Sequence, residues 1–75
     1  MEDLIEFLKS EFPVINFQNN HKLVESGELD SLNLIRLIAA LEQKYDISMP
    51  MDEISAENFN SITSIFSLIQ KLTNG

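Results

Sequence analysis

Helical periodicity is the feature that most limits what this chain can fold into. Between residues 31 and 45, apolar side chains recur at intervals of four, three and four residues, which is the spacing of one face of an α-helix. No segment alternates apolar and polar residues for long enough to predict a strand. An all-α fold is therefore predicted, with this central helix starting at Ser31. Its apolar positions are Leu34, Ile38, Leu41 and Tyr45, in a stripe widened by Leu37, Ile35 and Ala39.

Three further helices are predicted, of which two are longer and one is short. Pro13 discourages continuation of the first helix, and Ser55 is a good N-cap for the short one. We therefore expect a small bundle of three longer helices plus one short helix, forming a single domain over residues 1–75. The expected limits are Glu2 or Asp3 to Ser10 for the first helix, Ala56 to Phe59 for the short one, and Asn60 or Ser61 to Asn74 and Gly75 for the last.

The segment from Pro13 to Leu29 is predicted to be a long surface loop. It is rich in Asn and contains Ser26 and Gly27, all of which favour turns. A loop of this length in so small a domain usually serves a function or packs on itself. One turn of helix is expected near Leu23. The apolar anchors of the loop are expected to be Val14, Ile15, Phe17, Leu23 and Val24.

Composition excludes several classes of function. The 75 residues include no cysteine, so disulfides, a cysteine zinc site and a thiol nucleophile are absent. Twelve acidic residues against five basic ones give a net charge of −7, which argues against nucleic acid as a partner. The first residues are acidic where a signal peptide is basic, and no apolar run reaches the roughly 20 residues of a membrane span. A soluble, cytoplasmic protein is expected.

The pair Asp30-Ser31 lies where the central helix begins. Asp30 is a good N-cap residue, because its carboxylate accepts the free N–H groups of the first turn. Ser31 then falls on that turn and faces solvent. A phosphate ester on its hydroxyl would lie at the positive end of the helix dipole. On these residues alone, an ordinary capped helix with an inert Ser31 is the more common explanation.

Four sequence segments, taken together and in order, favour a modified Ser31 over an inert one. They are residues 27–32, which contain Asp-Ser-Leu; residues 41–47, which read Leu-Glu-Gln-Lys-Tyr-Asp-Ile; Pro50; and residues 57–62, which contain Asn-Phe-Asn-Ser-Ile. In this combination the chain resembles the phosphopantetheine-dependent carrier proteins over about two thirds of its length. The resemblance implies that Ser31 carries a covalent 4′-phosphopantetheine arm, which holds an acyl or aminoacyl group as a thioester.

The same resemblance implies a set of partners and a role in delivery. A phosphopantetheinyl transferase would modify Ser31, an adenylating acyl or aminoacyl ligase would load the arm, and downstream acyl-processing enzymes would receive the cargo. The carrier would be a monomer and would not itself be an enzyme. Its expected docking face consists of Asp30, Leu32 and Arg36.

This chain departs from the fatty-acid type of the family. Those members have an acidic second helix and a Gly two residues before the Asp, whereas Gly27 here lies three residues before Asp30. Asn33, Arg36 and Lys44 occupy positions where acids are usual. The pattern looks more like free-standing carriers that serve adenylation enzymes, such as D-alanyl and aminoacyl carriers.

Two other interpretations of the same hydroxyl remain open, and other sites have little support. The chain is alternatively an unmodified, acidic interaction module, or Ser31 is a regulatory phosphoserine. No metal or catalytic site is predicted. His21 is expected on a surface loop, Asp52 and Glu53 as solvated carboxylates, and Met49 and Met51 as core side chains.

Overall fold

The computed structural model describes residues 1–74, which form four α-helices. The helices are α1 (Glu2–Glu11), α2 (Ser31–Tyr45), α3 (Ala56–Phe59) and α4 (Ile62–Asn74). A single 3₁₀ turn, Met51–Glu53, precedes α3 and was not predicted. The described residues contain no strand, and the expected bundle of three longer helices and one short helix is confirmed. The predicted helix end at Gly75 lies outside the described residues.

For each helix after α1, the side chain of the residue just before the helix accepts an N–H group of the first turn. The Asp30 carboxylate caps α2, and the Ser55 hydroxyl accepts the Asn58 N–H at 3.3 Å to cap α3, as predicted. The Ser61 hydroxyl accepts the Ser64 N–H at 3.1 Å, so Ser61 rather than its neighbour caps α4. The first helix runs one residue further than expected, to Glu11.

The core is shared between the helices and the long loop that separates α1 from α2. Each of the two long outer helices, α1 and α4, contributes to it, and α2 contributes through Leu37 and Leu41, which are fully buried. The loop contributes four further buried side chains, which include three of its five predicted anchors. Within residues 1–73, fourteen residues are buried: Leu4, Leu8, Ile15, Phe17, Leu23, Leu29, Leu37, Leu41, Met49, Phe59, Ile62, Ile65, Leu68 and Ile69.

Several apolar residues expected in the core are exposed, and these predictions were wrong. Ile35 is 65% exposed, and Ala39 is exposed as well, because the buried stripe of α2 centres on Leu37 and Leu41. Met51 is 88% exposed at the start of the 3₁₀ turn, while Met49 fills the core as predicted. The predicted loop anchor Val14 is 88% exposed, and nothing in the structure explains its exposure.

Two polar residues near α3 are partly buried, and one of them, Glu53, was expected to be a solvated carboxylate. Glu53 forms an ion pair with Lys71 of α4, so it is not a free carboxylate beside Asp52. The Lys71 ammonium group holds the pKa of Glu53 below its ordinary value. Asn58 is half-buried, and its side-chain amide donates to the Glu53 backbone carbonyl at 2.7 Å. These contacts attach the 3₁₀ turn to α3 and α4.

No helix in residues 1–74 combines the length and the apolar character that a membrane crossing requires. His21 is exposed in the loop, as expected.

Replacing Leu37 by Ala is expected to lower the free energy of unfolding by about 2–5 kcal/mol, because it empties a fully buried site. Ile35→Ala is the matched control on the same helix, and its cost is expected to be within about 0.5 kcal/mol because Ile35 is mostly exposed. Urea unfolding followed by circular dichroism measures both changes. Equal losses would contradict the assignment of the buried face.

Candidate functional site

Ser31 is the first residue of α2 and is exposed. Asp30 precedes it in an extended conformation, with φ −77° and ψ −179°, as is usual for an N-cap. The Asp30 carboxylate accepts the Asn33 N–H at 2.9 Å, and the Asp30 carbonyl accepts the Leu34 N–H at 2.8 Å. The helix therefore begins at a defined residue, and Ser31 lies on its first turn.

The surroundings of the Ser31 hydroxyl suit a phosphodiester. Within residues 1–74 this hydroxyl makes no hydrogen bond, and the N–H groups of Ser31 and Leu32 have no acceptor. The first turn of α2 contains no acidic residue. Phosphate oxygens bound at Ser31 would meet free N–H donors and the positive end of the helix dipole. The residues present therefore fit a phosphate-linked group on this oxygen.

A second, exposed apolar stripe begins beside Ser31. Leu32 and Ile35 are 59% and 65% exposed, and Arg36 and Ala39 are exposed too. The last three of these residues lie three, four and seven positions after Leu32, so all four lie on one side of the helix. We call them the exposed face of α2. Sequence reasoning named Leu32 and Arg36 but assigned Ile35 and Ala39 to the core.

The exposed face of α2 differs in charge from the rest of the protein. Of the twelve acidic residues in the chain, only Glu42 belongs to α2, against two basic residues, Arg36 and Lys44. The Glu42 carboxylate is half-buried and accepts the Met49 N–H at 2.7 Å. The side of α2 that begins at Ser31 therefore presents apolar groups and one positive charge, in a protein of net charge −7.

The loop that leads to Ser31 is held by a carboxylate. Glu28 accepts the Asn16 N–H at 2.6 Å and the Asn20 side-chain amide at 2.7 Å. The hydrogen bond from Asn20, followed by that from Asn16, lowers the pKa of Glu28 from its ordinary value. Glu28 therefore joins the middle of the loop to the residues that immediately precede α2.

A second attachment comes from the other end of the chain. Near Leu23, where one turn of helix was predicted, residues 22–27 form a hydrogen-bonded turn instead, in which the Ser26 N–H donates to the Lys22 carbonyl at 2.8 Å. The side-chain oxygen of Asn60, at the junction of α3 and α4, accepts the Val24 N–H at 3.0 Å. Neither attachment is predictable from short-range patterns, because the bonded residues lie 8 to 36 positions apart.

The fold and the site together describe a small helical protein with an exposed serine at a helix N-terminus. Comparison with known families agrees, since residues 2–69 match the family described as phosphopantetheine attachment site. The chain belongs to this family of phosphopantetheine carrier proteins. Its cofactor is covalently attached 4′-phosphopantetheine, and the expectations for family and cofactor are confirmed.

Individual relatives are also carriers. The chain is 40% identical over 52 residues to the D-alanyl carrier protein of Lactococcus lactis subsp. cremoris, which covers 69% of this chain and 66% of the relative. It is 42% identical over 53 residues to the acyl carrier protein of Buchnera aphidicola subsp. Baizongia pistaciae, which covers 71% of this chain and 65% of the relative. The match thus spans slightly less than two thirds of these relatives. No solved structure gives a significant match.

Glu28→Gln is expected to destabilise the protein in a pH-dependent way. Because folding lowers the pKa of Glu28, its contribution is fully present above the unfolded-state value, about 4.3, and is lost as the pH falls through the lower folded-state value. The difference in free energy of unfolding between wild type and Glu28→Gln should therefore be largest near neutral pH and shrink below about pH 4.

Urea unfolding at several pH values measures this difference. Glu6→Gln is the control, since it removes one charge from α1 without removing a hydrogen bond of the loop. A difference that is constant across the pH range would show that the Glu28 carboxylate does not hold the loop.

Proposed function

We propose that Ser31 is the attachment residue and that the protein carries an acyl or aminoacyl group from a loading enzyme to an acceptor enzyme. The observation that supports this most directly is the exposed hydroxyl of Ser31 on the first turn of α2, which, like two neighbouring N–H groups, has no hydrogen-bond partner among residues 1–74. In this proposal residues 1–75 act as one carrier domain, a monomer that delivers its cargo without catalysing the transfer.

The chain contributes position and charge to this function. Ser31 would hold the arm through its side-chain oxygen: a transferase would remove the hydroxyl proton, the oxygen would bond to the phosphorus nearer the pantetheine, and the pyrophosphate linkage of coenzyme A would break to release the nucleotide portion. The bound arm supplies a thiol, to which cargo is linked as a thioester. The N-cap at Asp30 keeps the attachment point at a defined place, and the helix dipole stabilises the negative charge of the phosphodiester. Tethering raises the local concentration of cargo at a docked enzyme.

We propose that partner enzymes dock on the exposed face of α2 and on Asp30, as the sequence predicted for Asp30, Leu32 and Arg36. Contiguous exposed apolar side chains mark interaction surfaces, and Leu32 and Ile35 form such a pair next to Ser31. Arg36 requires a partner with a neutral or acidic rim. The strongly basic surfaces that suit acidic carriers would repel it.

The proposed loading enzyme is an adenylating ligase, and the proposed cargo is an amino acid or a small carboxylic acid. The charge of α2 supports this choice over fatty-acid elongation, because two basic residues and a bonded Glu42 replace an acidic helix. D-alanine is the first cargo to test, since several relatives are named D-alanyl carrier proteins. The relative named acyl carrier protein makes other acids the second group to test.

Incubation with coenzyme A and a broad-specificity phosphopantetheinyl transferase should add the mass of one phosphopantetheine group to the wild-type protein. The added group should lie on Ser31 by peptide mapping and be absent from Ser31→Ala, whose circular dichroism should be unchanged because Ser31 is exposed. Ser55→Ala, which removes another N-cap hydroxyl, is the matched control and should still be modified. An unmodified wild type would favour the interaction module, and equal modification of Ser31→Ala would place the site elsewhere.

Arg36→Glu should slow loading by the true ligase by roughly tenfold at low ionic strength, with a smaller effect at higher salt. Lys9→Glu, which makes the same charge change on α1, should have little effect because it lies off the exposed face of α2. The rate of loading with radiolabelled D-alanine or other small acids, at two salt concentrations, measures both. Equal slowing by the two variants would attribute the effect to net charge instead of docking.

A further inference from the structure

Asn60 is distant in sequence from the loop before Ser31 but makes several hydrogen bonds to it. Its side-chain oxygen accepts the Val24 N–H at 3.0 Å and the Glu25 N–H at 3.3 Å. Its side-chain amide donates to the Glu25 carboxylate at 2.8 Å, and its backbone carbonyl accepts the Leu23 N–H at 2.9 Å. Four hydrogen bonds therefore join one residue to three consecutive residues that lie 35 to 37 positions earlier.

This arrangement is an N-cap supplied from a distant part of the chain. Residues 22–27 form one hydrogen-bonded turn, whose first N–H groups have no partner within the turn itself. An ordinary N-cap would come from the residue just before the turn. The Asn20 side-chain oxygen accepts the Lys22 N–H at 2.8 Å, and Asn60, at the junction of α3 and α4, supplies the acceptors for the three N–H groups that follow.

The turn at residues 22–27 is also hydrogen-bonded to Leu29, the residue that precedes the N-cap of α2. The Leu23 carbonyl accepts the Leu29 N–H at 2.9 Å, so both backbone groups of Leu23 are bonded. The side chains of Leu23 and Leu29 are buried in the core, at 0% and 1% exposure. Asp30 and Ser31 follow Leu29 directly. A continuous set of hydrogen bonds thus runs from Asn60 to the start of α2.

We infer that Asn60 is a positioning residue for the modification of Ser31. This inference rests on the proposed function, since it concerns the reaction at the Ser31 hydroxyl. By capping the turn at residues 22–27, Asn60 fixes the place of the α2 N-terminus relative to α3 and α4. A transferase that docks on the carrier then meets a Ser31 hydroxyl that is already in place. Less conformational entropy of the loop is therefore lost when the complex forms.

The physical argument gives the size of the effect. Misplacement of a reacting atom by about 1 Å can cost roughly a hundredfold in rate. The buried leucines still hold the loop when the cap is removed, so the displacement is partial. We therefore expect Asn60→Ala to lower kcat/KM for phosphopantetheine transfer by about tenfold, per folded molecule.

Asn58→Ala is the matched control. Asn58 is an asparagine of similar burial two residues away, and its side chain bonds to the Glu53 carbonyl and not to the loop. It should change kcat/KM by less than about twofold. Urea unfolding gives the folded fraction of each variant, so that rates refer to folded protein only.

Charge provides a rescue test. Asn60→Asp keeps an acceptor for Val24 and Glu25 but replaces the amide donor with an oxygen that faces the Glu25 carboxylate. The variant should be slow, because two carboxylates then repel each other. Adding Glu25→Gln restores a donor to that contact, and the double variant should recover to within about threefold of wild type. If Asn60→Asp only destabilised the protein, adding Glu25→Gln would not change the rate of phosphopantetheine transfer per folded molecule.

The experiment is phosphopantetheine transfer from coenzyme A, measured by mass spectrometry, for wild type and these variants. Amide hydrogen exchange provides a second readout, and Asn60→Ala should speed exchange at Leu29 and Asn33 more than Asn58→Ala does. Wild type and Asn60→Ala modified at equal rates would overturn the inference and leave the proposed function standing. Equal slowing by Asn58→Ala and Asn60→Ala, or no rescue by Glu25→Gln, would also overturn it. A wild type that is never modified would refute the proposed function together with the inference.

Discussion

The small core is the constraint on which the rest of the structure depends. A chain of 75 residues without cysteine has no disulfide to stabilise it, and domains of this size bury roughly 60% of their unfolded surface. The core therefore draws on the loop between α1 and α2, which supplies four of the fourteen buried side chains. Because apolar burial is so valuable here, large apolar side chains left in solvent have a cost. The exposure of Leu32 and Ile35 beside Ser31 supports the proposed docking role.

Polar contacts hold the loop in addition to its four buried apolar side chains. Glu28 joins it to Asn16 and Asn20, and Asn60 joins it to the junction of α3 and α4. Among the residues that the structure describes, no buried side-chain nitrogen or oxygen lacks a hydrogen-bond partner. The loop is thus long in sequence and well fixed at two places, which suits a segment that must present one hydroxyl at a defined position.

The features that the sequence predicts well are local ones. The caps at Asp30 and Ser55 each bond to an N–H three residues further on, so the residue type and a neighbouring helical pattern suffice to locate them. Helix α2 was predicted with its observed limits for the same reason. The 3₁₀ turn spans only three residues, which is too short for any periodic pattern to indicate.

What the sequence could not supply depends on three-dimensional placement. Helical spacing identifies apolar stripes, but α2 has two of them, and nothing local distinguishes the stripe of Leu37 from that of Ile35. The position of Arg36 within the second stripe was the available signal, because a charged residue rarely lies within a buried face. The contacts of Asn60 join residues more than 30 positions apart, so no short motif contains them.

The residues that act on a partner at long range differ from those that act on it at contact distance. Eleven of the twelve acidic residues lie outside α2, where they favour solubility and act on approaching molecules over distances set by screening. At contact distance, the exposed face of α2 offers Leu32, Ile35 and Arg36 instead. Long-range repulsion of acidic partners and short-range attraction to an apolar surface then act at different stages of an encounter. Under the proposed docking, a partner must tolerate the negative field to approach and must match the apolar face to remain bound, and together these two conditions select partners more narrowly than either alone.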